Sequence, residues 1–288
     1  MINTSYLNRR FIAIIFFVFL GISLSAQQKN PSPKGKLFII GGGDRSDMLV
    51  KKLLETADLK KTDHIAILPM SGAEPDTSYY YIKQDLEKFC GNVISNLNFT
   101  PDKINNKEWL DSVESAKLIF ITGGDQIRFM KVVLHTPIYE AIHHAYEKGS
   151  TVAGTSAGAA VMSREMITGN QLGDTVYHET FNKVRDNNIE FKEGLGLIDS
   201  VIIDQHFIKR SRYNRLLSAL GKFPTFTCIG IDEGTAIIVD KKKISVTGVS
   251  QVIVMKKPKG LQITSSGLIK FHDLNESIYT DGDLIDMK

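Results

Sequence analysis

From residue 36 to about residue 204 the chain alternates short, β-branched apolar runs with segments of helical periodicity, and that alternation restricts the fold more than any other feature. The runs are Lys36–Ile40, His64–Leu68, 92–97, 118–122, 151–153 and 201–203. They are apolar on both faces, as the strands of a parallel sheet covered by helices are. Between them, Asp47–Ala57, 81–89 and 138–148 space their apolar residues helically, and Pro137 suits the first position of a helix. Alternation of this kind predicts an α/β fold with an open, doubly wound, mostly parallel sheet. Beyond Asp232, the runs Thr235–Asp240, 243–249 and 252–256 follow one another too closely for intervening helices. They predict antiparallel strands extending one edge of that sheet. The polar stretch 166–194 reads as a long surface insertion, with a lid as one option.

In open α/β sheets, ligands bind outside the carboxyl ends of the strands. The distinctive motifs of this chain all fall there: Gly41-Gly42-Gly43-Asp44, Pro69-Met70-Ser71-Gly72, Gly123-Gly124-Asp125-Gln126, Ser156 and His206. The sharpest is Gly154-Thr155-Ser156-Ala157-Gly158. A serine between small residues at a strand-to-helix junction meets the steric needs of a nucleophile elbow, with the N–H of Ala157 facing the position of an oxyanion. The structural alternative is a small-residue helix start packed tightly on a strand. His206, in Asp204-Gln205-His206-Phe207, follows the run 201–203 and is placed like the base of a Ser–His pair. Taken by itself it reads equally as a satisfied loop histidine. Arg210, Arg212 and Arg215 read either as a solvated helix face or as an anion site of guanidinium forks.

At the amino terminus, Arg9 and Arg10 precede an apolar run from 11 to 22 and the small residues Ser23, Ser25 and Ala26. This pattern predicts a signal peptide over 1–26, cleaved near Ser25 or Ala26, and export to the periplasm or the medium. The run is short for a bilayer span, so no stable membrane anchor is expected. Residues 27–35 read as a flexible leader and 36–288 as a single domain. Losing Arg9 and Arg10 lowers the formal charge from +3 to +1, which gives no case for nucleic acid as a partner. Cys90 and Cys228, the only two cysteines, are expected as separate buried thiols. No Cys/His clusters have metal-ligand spacing, so no metal is expected.

Together these motifs resemble the serine peptidase family that contains cyanophycinase and the aspartyl dipeptidase peptidase E, with the cyanophycinase branch nearer. The resemblance runs from about Lys36 to Val254 and rests on Ile39-Ile40-Gly41-Gly42, Thr122-Gly123-Gly124-Asp125-Gln126, Gly154-Thr155-Ser156-Ala157-Gly158-Ala159, Asp204-Gln205-His206-Phe207 with the three arginines, and Gly230-Ile231-Asp232-Glu233. It implies a class I glutamine-amidotransferase-like (flavodoxin-like) fold, with Ser156 as nucleophile and His206 as general base. Glu233 is the first choice for the third catalytic member and Asp174 the second. The N–H groups of Ala157 and Gly124 would form the oxyanion hole. Gln126, Asp204, Gln205, Arg210, Arg212 and Arg215 match positions lining the cyanophycinase substrate pocket.

The implied reaction is hydrolysis of an aspartyl amide through an acyl-enzyme, without a cofactor, on an acidic peptide or a cyanophycin-like polymer cut to β-aspartyl-arginine dipeptides. The arginines would hold the free carboxylate of the aspartyl unit. α-Aspartyl or isoaspartyl peptides, a secreted esterase, and a non-catalytic binding protein are the competing readings. The resemblance also leaves a homodimer open. Two departures bear on the substrate: Gly43-Asp44 stands where cyanophycinases carry alanine and glutamate, and the stretch between Ser156 and His206 is long.

Overall fold

The computed structural model describes residues 33–173, 178 and 180–287. The predicted signal peptide, most of the leader, and Asp174 lie outside the described residues. No helix among the described residues is long and apolar enough to cross a membrane.

The predicted alternation holds through the first half. In order come β1 (Lys36–Ile40), α1 (Asp47–Ala57), β2 (His64–Leu68), α2 (Pro75–Glu87), β3 (Val93–Asn96), α3 (Lys107–Ser115), β4 (Leu118–Ile121), α4 (Gln126–Val133), α5 (Pro137–Lys148) and β5 (Thr151–Thr155). Then follow α6 (Ala157–Ala160), β6 (Glu165–Gln171), β7 (Ile189–Glu193), β8 (Val201–Gln205), α7 (Tyr213–Lys222), β9 (Thr227–Ile231), β10 (Thr235–Asp240), β11 (Lys243–Gly248) and β12 (Val252–Lys259). Four strands close the chain: β13 (Gln262–Ile263), β14 (Ile269–Lys270), β15 (Asp273–Tyr279) and β16 (Leu284–Ile285).

The main sheet has the order β16-β11-β10-β1-β5-β4-β2-β3. Its β1, β5, β4, β2 and β3 run parallel, while β10, β11 and β16 join antiparallel at one edge. Phe38, Ile40, Ile65, Ile67 and Phe120 face α1 and α2 across one apolar layer. Leu37, Ile39, Ala66, Ile119, Ile121 and Val152 face the other, with Ile138, Ile142 and Ala145 of α5. Full burial on both faces is what allows the strands to be apolar throughout.

Two expectations need correction. The run 201–203 is not part of the main sheet, and neither is 252–256: β8, β9, β12 and β15 make a second, four-stranded sheet in the order β15-β12-β9-β8. The reason is edge occupancy. β1 already pairs with β10 over its full length, from Lys36 opposite Asp240 to Ile40 opposite Ala236, so the place beside β1 is taken and β8 pairs in parallel with β9 instead. The second sheet packs one face, through Ile203, Ile229, Ile231, Val252 and Val254, into the apolar layer it shares with the main sheet. Its other face holds Leu216, Ala219 and Leu220 of α7 against Ile202, Cys228 and Ile253.

The insertion is also more than surface. Its described residues form the antiparallel ribbon β6–β7, and Ile167, Phe181 and Ile189 bury against the α7 layer. Both cysteines are free thiols, Cys228 buried and Cys90 half-buried, and burial pushes both upward in pKa.

Candidate active site

Chain path explains the small residues around Ser156. β5 ends at Thr155 and α6 begins at Ala157, so the whole reversal falls on one residue with φ 53° and ψ −108°. A non-glycine residue there stores strain of about 1–3 kcal/mol. It is held by hydrogen bonds on both sides: Ser156 N–H donates to the Ile40 carbonyl at 3.1 Å, and its carbonyl accepts from Ala159 and Ala160, each at 3.0 Å. The turn brings backbones into contact. A Cβ on Gly158 would sit 2.3 Å from the Ile121 carbonyl oxygen, and one on Gly154 would sit 2.2 Å from the Gly158 carbonyl oxygen. Gly158→Val is therefore expected to cost at least about 1–3 kcal/mol by overpacking, read as a lower urea midpoint. An unchanged midpoint would show that α6 can move off β4 at no cost.

The imidazole arrives from the second sheet. His206 follows β8 directly, with φ 47°, and its N–H donates to the Gly41 carbonyl at 2.7 Å, which stitches the two sheets together. Its ring lies on Gly42: a Cβ at that position, where φ is +114°, would come within 2.3 Å of His206 Cε1. Only glycine meets both demands. Nε2 stands 2.8 Å from Ser156 Oγ, and Nδ1 stands 2.6 Å from Glu233 Oε1. The parallel register places Gln205 opposite Ile231, so His206 and the residues just past β9 emerge side by side. With Nδ1–H donating to Glu233, Nε2 is left to accept the serine proton.

His206 is only 8% exposed. Burial holds its pKa below the ordinary histidine value; Arg210 and Arg212 add repulsion, while the Glu233 hydrogen bond opposes both. The imidazole is thus neutral near pH 7 and able to act as a base.

Asp232, adjacent to Glu233, is a positioning residue that sequence reasoning did not single out. One carboxylate oxygen accepts from the N–H groups of Ile208 and Lys209, and the other from the Ser250 hydroxyl at 2.7 Å. It pins the loop after His206. Its only signal was its place in the Gly-Ile-Asp-Glu motif.

On one side of Ser156 and His206 opens a cleft of 250 Å³, lined by Gly124, Gln126, Gln205, Arg210, Arg212 and Arg215 among others. The structure therefore brings most of the anticipated binding residues to one place. Asp204 departs from that pattern. Fully buried at the end of β8, it takes no part in the cleft lining and instead receives both nitrogens of a fork from Arg215, Nε at 2.8 Å and Nη2, with Arg212 at 3.7 Å. The Gln205 side chain accepts from Arg212 Nη1 and from Arg215 Nη2, the latter at 3.2 Å. Gln126 spends its amide nitrogen on the Ile167 and Thr168 carbonyls, at 3.0 and 2.6 Å, tying β6 to the cleft wall.

Among the described residues, three guanidinium groups meet here with one buried carboxylate, Asp204, and one exposed carboxylate, Asp125, at the rim, an arrangement suited to an anion. Gly124 borders the cleft beside Ser156, and the Ala157 N–H is an orphan donor of the first turn of α6. Ser156, His206, Glu233, the Ala157 N–H and the arginine-lined cleft share one rim.

Comparison with known proteins agrees with this arrangement. A family model described as peptidase family S51 matches residues 37–247. A cyanophycinase of Geminocystis herdmanii is 38% identical over 170 residues, 58% of this chain and 59% of that protein, so the match spans less than two thirds of the relative's length. A cyanophycinase of Trichormus variabilis is 31% identical over 223 residues, 75% of this chain and 72% of that protein. Among solved structures, a peptidase from an acI-B1 Actinobacterium superposes with a TM-score of 0.65 at 24% identity, covering 88% of this chain and 97% of the other, a likeness of fold.

Proposed function

The chain belongs to peptidase family S51, with the chemistry of a serine-type hydrolase, and from that premise we propose that it cleaves the amide bond of an aspartyl unit through an acyl-enzyme on Ser156. The observation that carries the reading is the continuous relay Ser156–His206–Glu233, with links of 2.8 and 2.6 Å. Ser156 Oγ attacks the carbonyl carbon as its proton passes to His206 Nε2. Glu233 stabilises the imidazolium so formed. The Ala157 and Gly124 N–H groups receive the negative charge on the tetrahedral oxygen, each such donor contributing about 3 kcal/mol. His206 then returns the proton to the leaving nitrogen, and water repeats the sequence on the ester.

For the substrate, the arginine cleft supports a carboxylate on the acyl fragment, and the similarity to two cyanophycinases supports cyanophycin or a related aspartyl polymer. Guanidinium charge bordering the cleft favours a carboxylate over its neutral isostere. The Arg9–Ala26 pattern supports an exported enzyme acting on material outside the cell. The glutamine-amidotransferase-like description of the fold belongs to the same reading, supported by the parallel order of β1, β5, β4, β2 and β3 with the elbow after β5.

The test is a panel of insoluble cyanophycin, α-aspartyl and β-aspartyl dipeptides, their asparaginyl counterparts and simple acyl esters. Aspartyl amides should be cleaved at least tenfold faster than asparaginyl ones. Ester turnover with every aspartyl amide left intact would overturn the proposal.

A pH prediction follows from the imidazole. Activity needs neutral His206, so kcat/KM rises as pH climbs through its pKa, and the midpoint is expected below the ordinary value of 6.5. Glu233→Gln removes the one influence that favours the protonated ring, so the limb moves further toward acid while kcat falls. A limb moving toward alkali in that variant would contradict the assignment.

A further inference from the structure

Ser156 and His206 form the shared wall of two clefts. Opposite the arginine-lined one lies a second, of 240 Å³, bordered by Gly43, Arg45, Ser78, Tyr81 and Gly123. An acyl group seated among Arg210, Arg212 and Arg215 directs the departing fragment into this second cleft. Among the described residues, the one Lys or Arg that borders it is Arg45.

We propose that Arg45 holds a carboxylate of the leaving fragment, so that the enzyme selects for negative charge on both sides of the bond it cuts. This rests on the serine-peptidase reading above. Arg45 is poised rather than dangling. Nε and Nη2 both bond Asp85 Oδ2, each at 2.9 Å, and the side chain is only 16% exposed. Among the described residues no hydrogen bond occupies Nη1.

Asp85 does not cancel the charge outright, because its other oxygen accepts from Lys88 at 3.2 Å: one carboxylate serves two cations. Lys88 also lies 4.0 Å from Asp47, whose side chain is exposed. Asp44, the nearest other acid in sequence, is exposed; with Asp85 it borders a neighbouring hollow that Arg45 also lines, and neither acid borders the cleft. A half-buried guanidinium, oriented by one carboxylate oxygen and with a nitrogen still to satisfy, is a ready receptor for a second carboxylate. The ligand it fits is a C-terminal or side-chain carboxylate on the first residue beyond the scissile bond. A chain-terminating dipeptide meets that description, as does a further acidic residue.

Calorimetry on Ser156→Ala protein reads the site without turnover. N-acetyl-Asp-Gly and its C-terminal amide are the probes. The free acid should bind at least tenfold more tightly than the amide. In Ser156→Ala/Arg45→Met the two should bind within about twofold of each other. Arg45→Lys, which keeps a cation beside Asp85, should retain an intermediate gap, so the result does not hang on one substitution. A gap of the same size with and without Arg45, or no gap in the parent protein, overturns the proposal.

The parallel measurement on otherwise native protein is the ratio of kcat/KM for the two peptides, with the change expected in KM. A binding gap that depends on Arg45, in a protein that cleaves neither peptide, would leave the carboxylate site standing and remove the peptidase reading instead. Cleavage of both peptides at a ratio indifferent to Arg45 would do the reverse.

Discussion

Ser156→Ala is expected to lower kcat on aspartyl amides by at least about 10³-fold while leaving the unfolding free energy, read from urea denaturation, within about 1 kcal/mol of native. The loss is large because, on the proposed reading, the hydroxyl oxygen becomes covalently bound, and among the described residues no other hydroxyl or thiol side chain borders both clefts. Stability changes little because the elbow is fixed by backbone bonds from Ile40, Ala159 and Ala160, which alanine keeps. Alanine at φ 53° inherits the strain serine already carries. The deeper test is additivity. Ser156 and His206 act on one proton, so Ser156→Ala, His206→Ala and the double variant should fall to nearly the same residual rate. A double variant slower by the product of the two single losses would mean that they act independently, and undiminished turnover in Ser156→Ala would remove the nucleophile altogether.

What could be read in advance divides along a physical line. Ser156 was legible because an elbow leaves a steric imprint: Gly154 and Gly158 are glycine since carbonyl oxygens stand 2.2 and 2.3 Å from where their Cβ atoms would be. The parallel half of the main sheet was legible because burial on both faces writes itself into every residue of a strand such as β4. Pairing partners leave no such imprint. The run at β12 is strand-like in the same way as those at β10 and β11, yet it joins β9, while the outer edge of β11 pairs with β16.

Side-chain direction is lost in the same way. Asp204 and Gln205 are adjacent and end the same strand, so they project to opposite faces only in part: both turn toward the arginines, but only Gln205 reaches the cleft. A carboxylate one helical reach from an arginine reads identically whether it binds a ligand or the arginine itself. Glu233 was favoured over Asp174 for being on a strand end, and it is the one found 2.6 Å from His206; Asp174 lies outside the described residues. Arg45 leaves no mark in the sequence because its meaning depends on Asp85, forty residues away on α2.

Asp204 carries the second large effect. Arg212 and Arg215 are 3% and 2% exposed, and Asp204, 1% exposed, is, among the described residues, the carboxylate that faces both. Asp204→Asn preserves shape and removes the compensating charge, leaving two guanidinium groups to repel each other out of water. Removing one partner of a buried ion pair typically costs about 3–5 kcal/mol. Against a total of about 5–15 kcal/mol for a domain, that is enough to lower the denaturation midpoint steeply. The control is a double variant. Asp204→Asn/Arg215→Met deletes one cation along with the anion, and should recover part of the loss, since an apolar replacement of a buried pair approaches neutrality. A single variant as stable as native would show that water or the Gln205 carbonyls already screen the arginines. A double variant no better than the single would show that the loss comes from the hydrogen bonds Asp204 accepts and not from charge balance, and the positive field assigned to the cleft would lose its foundation.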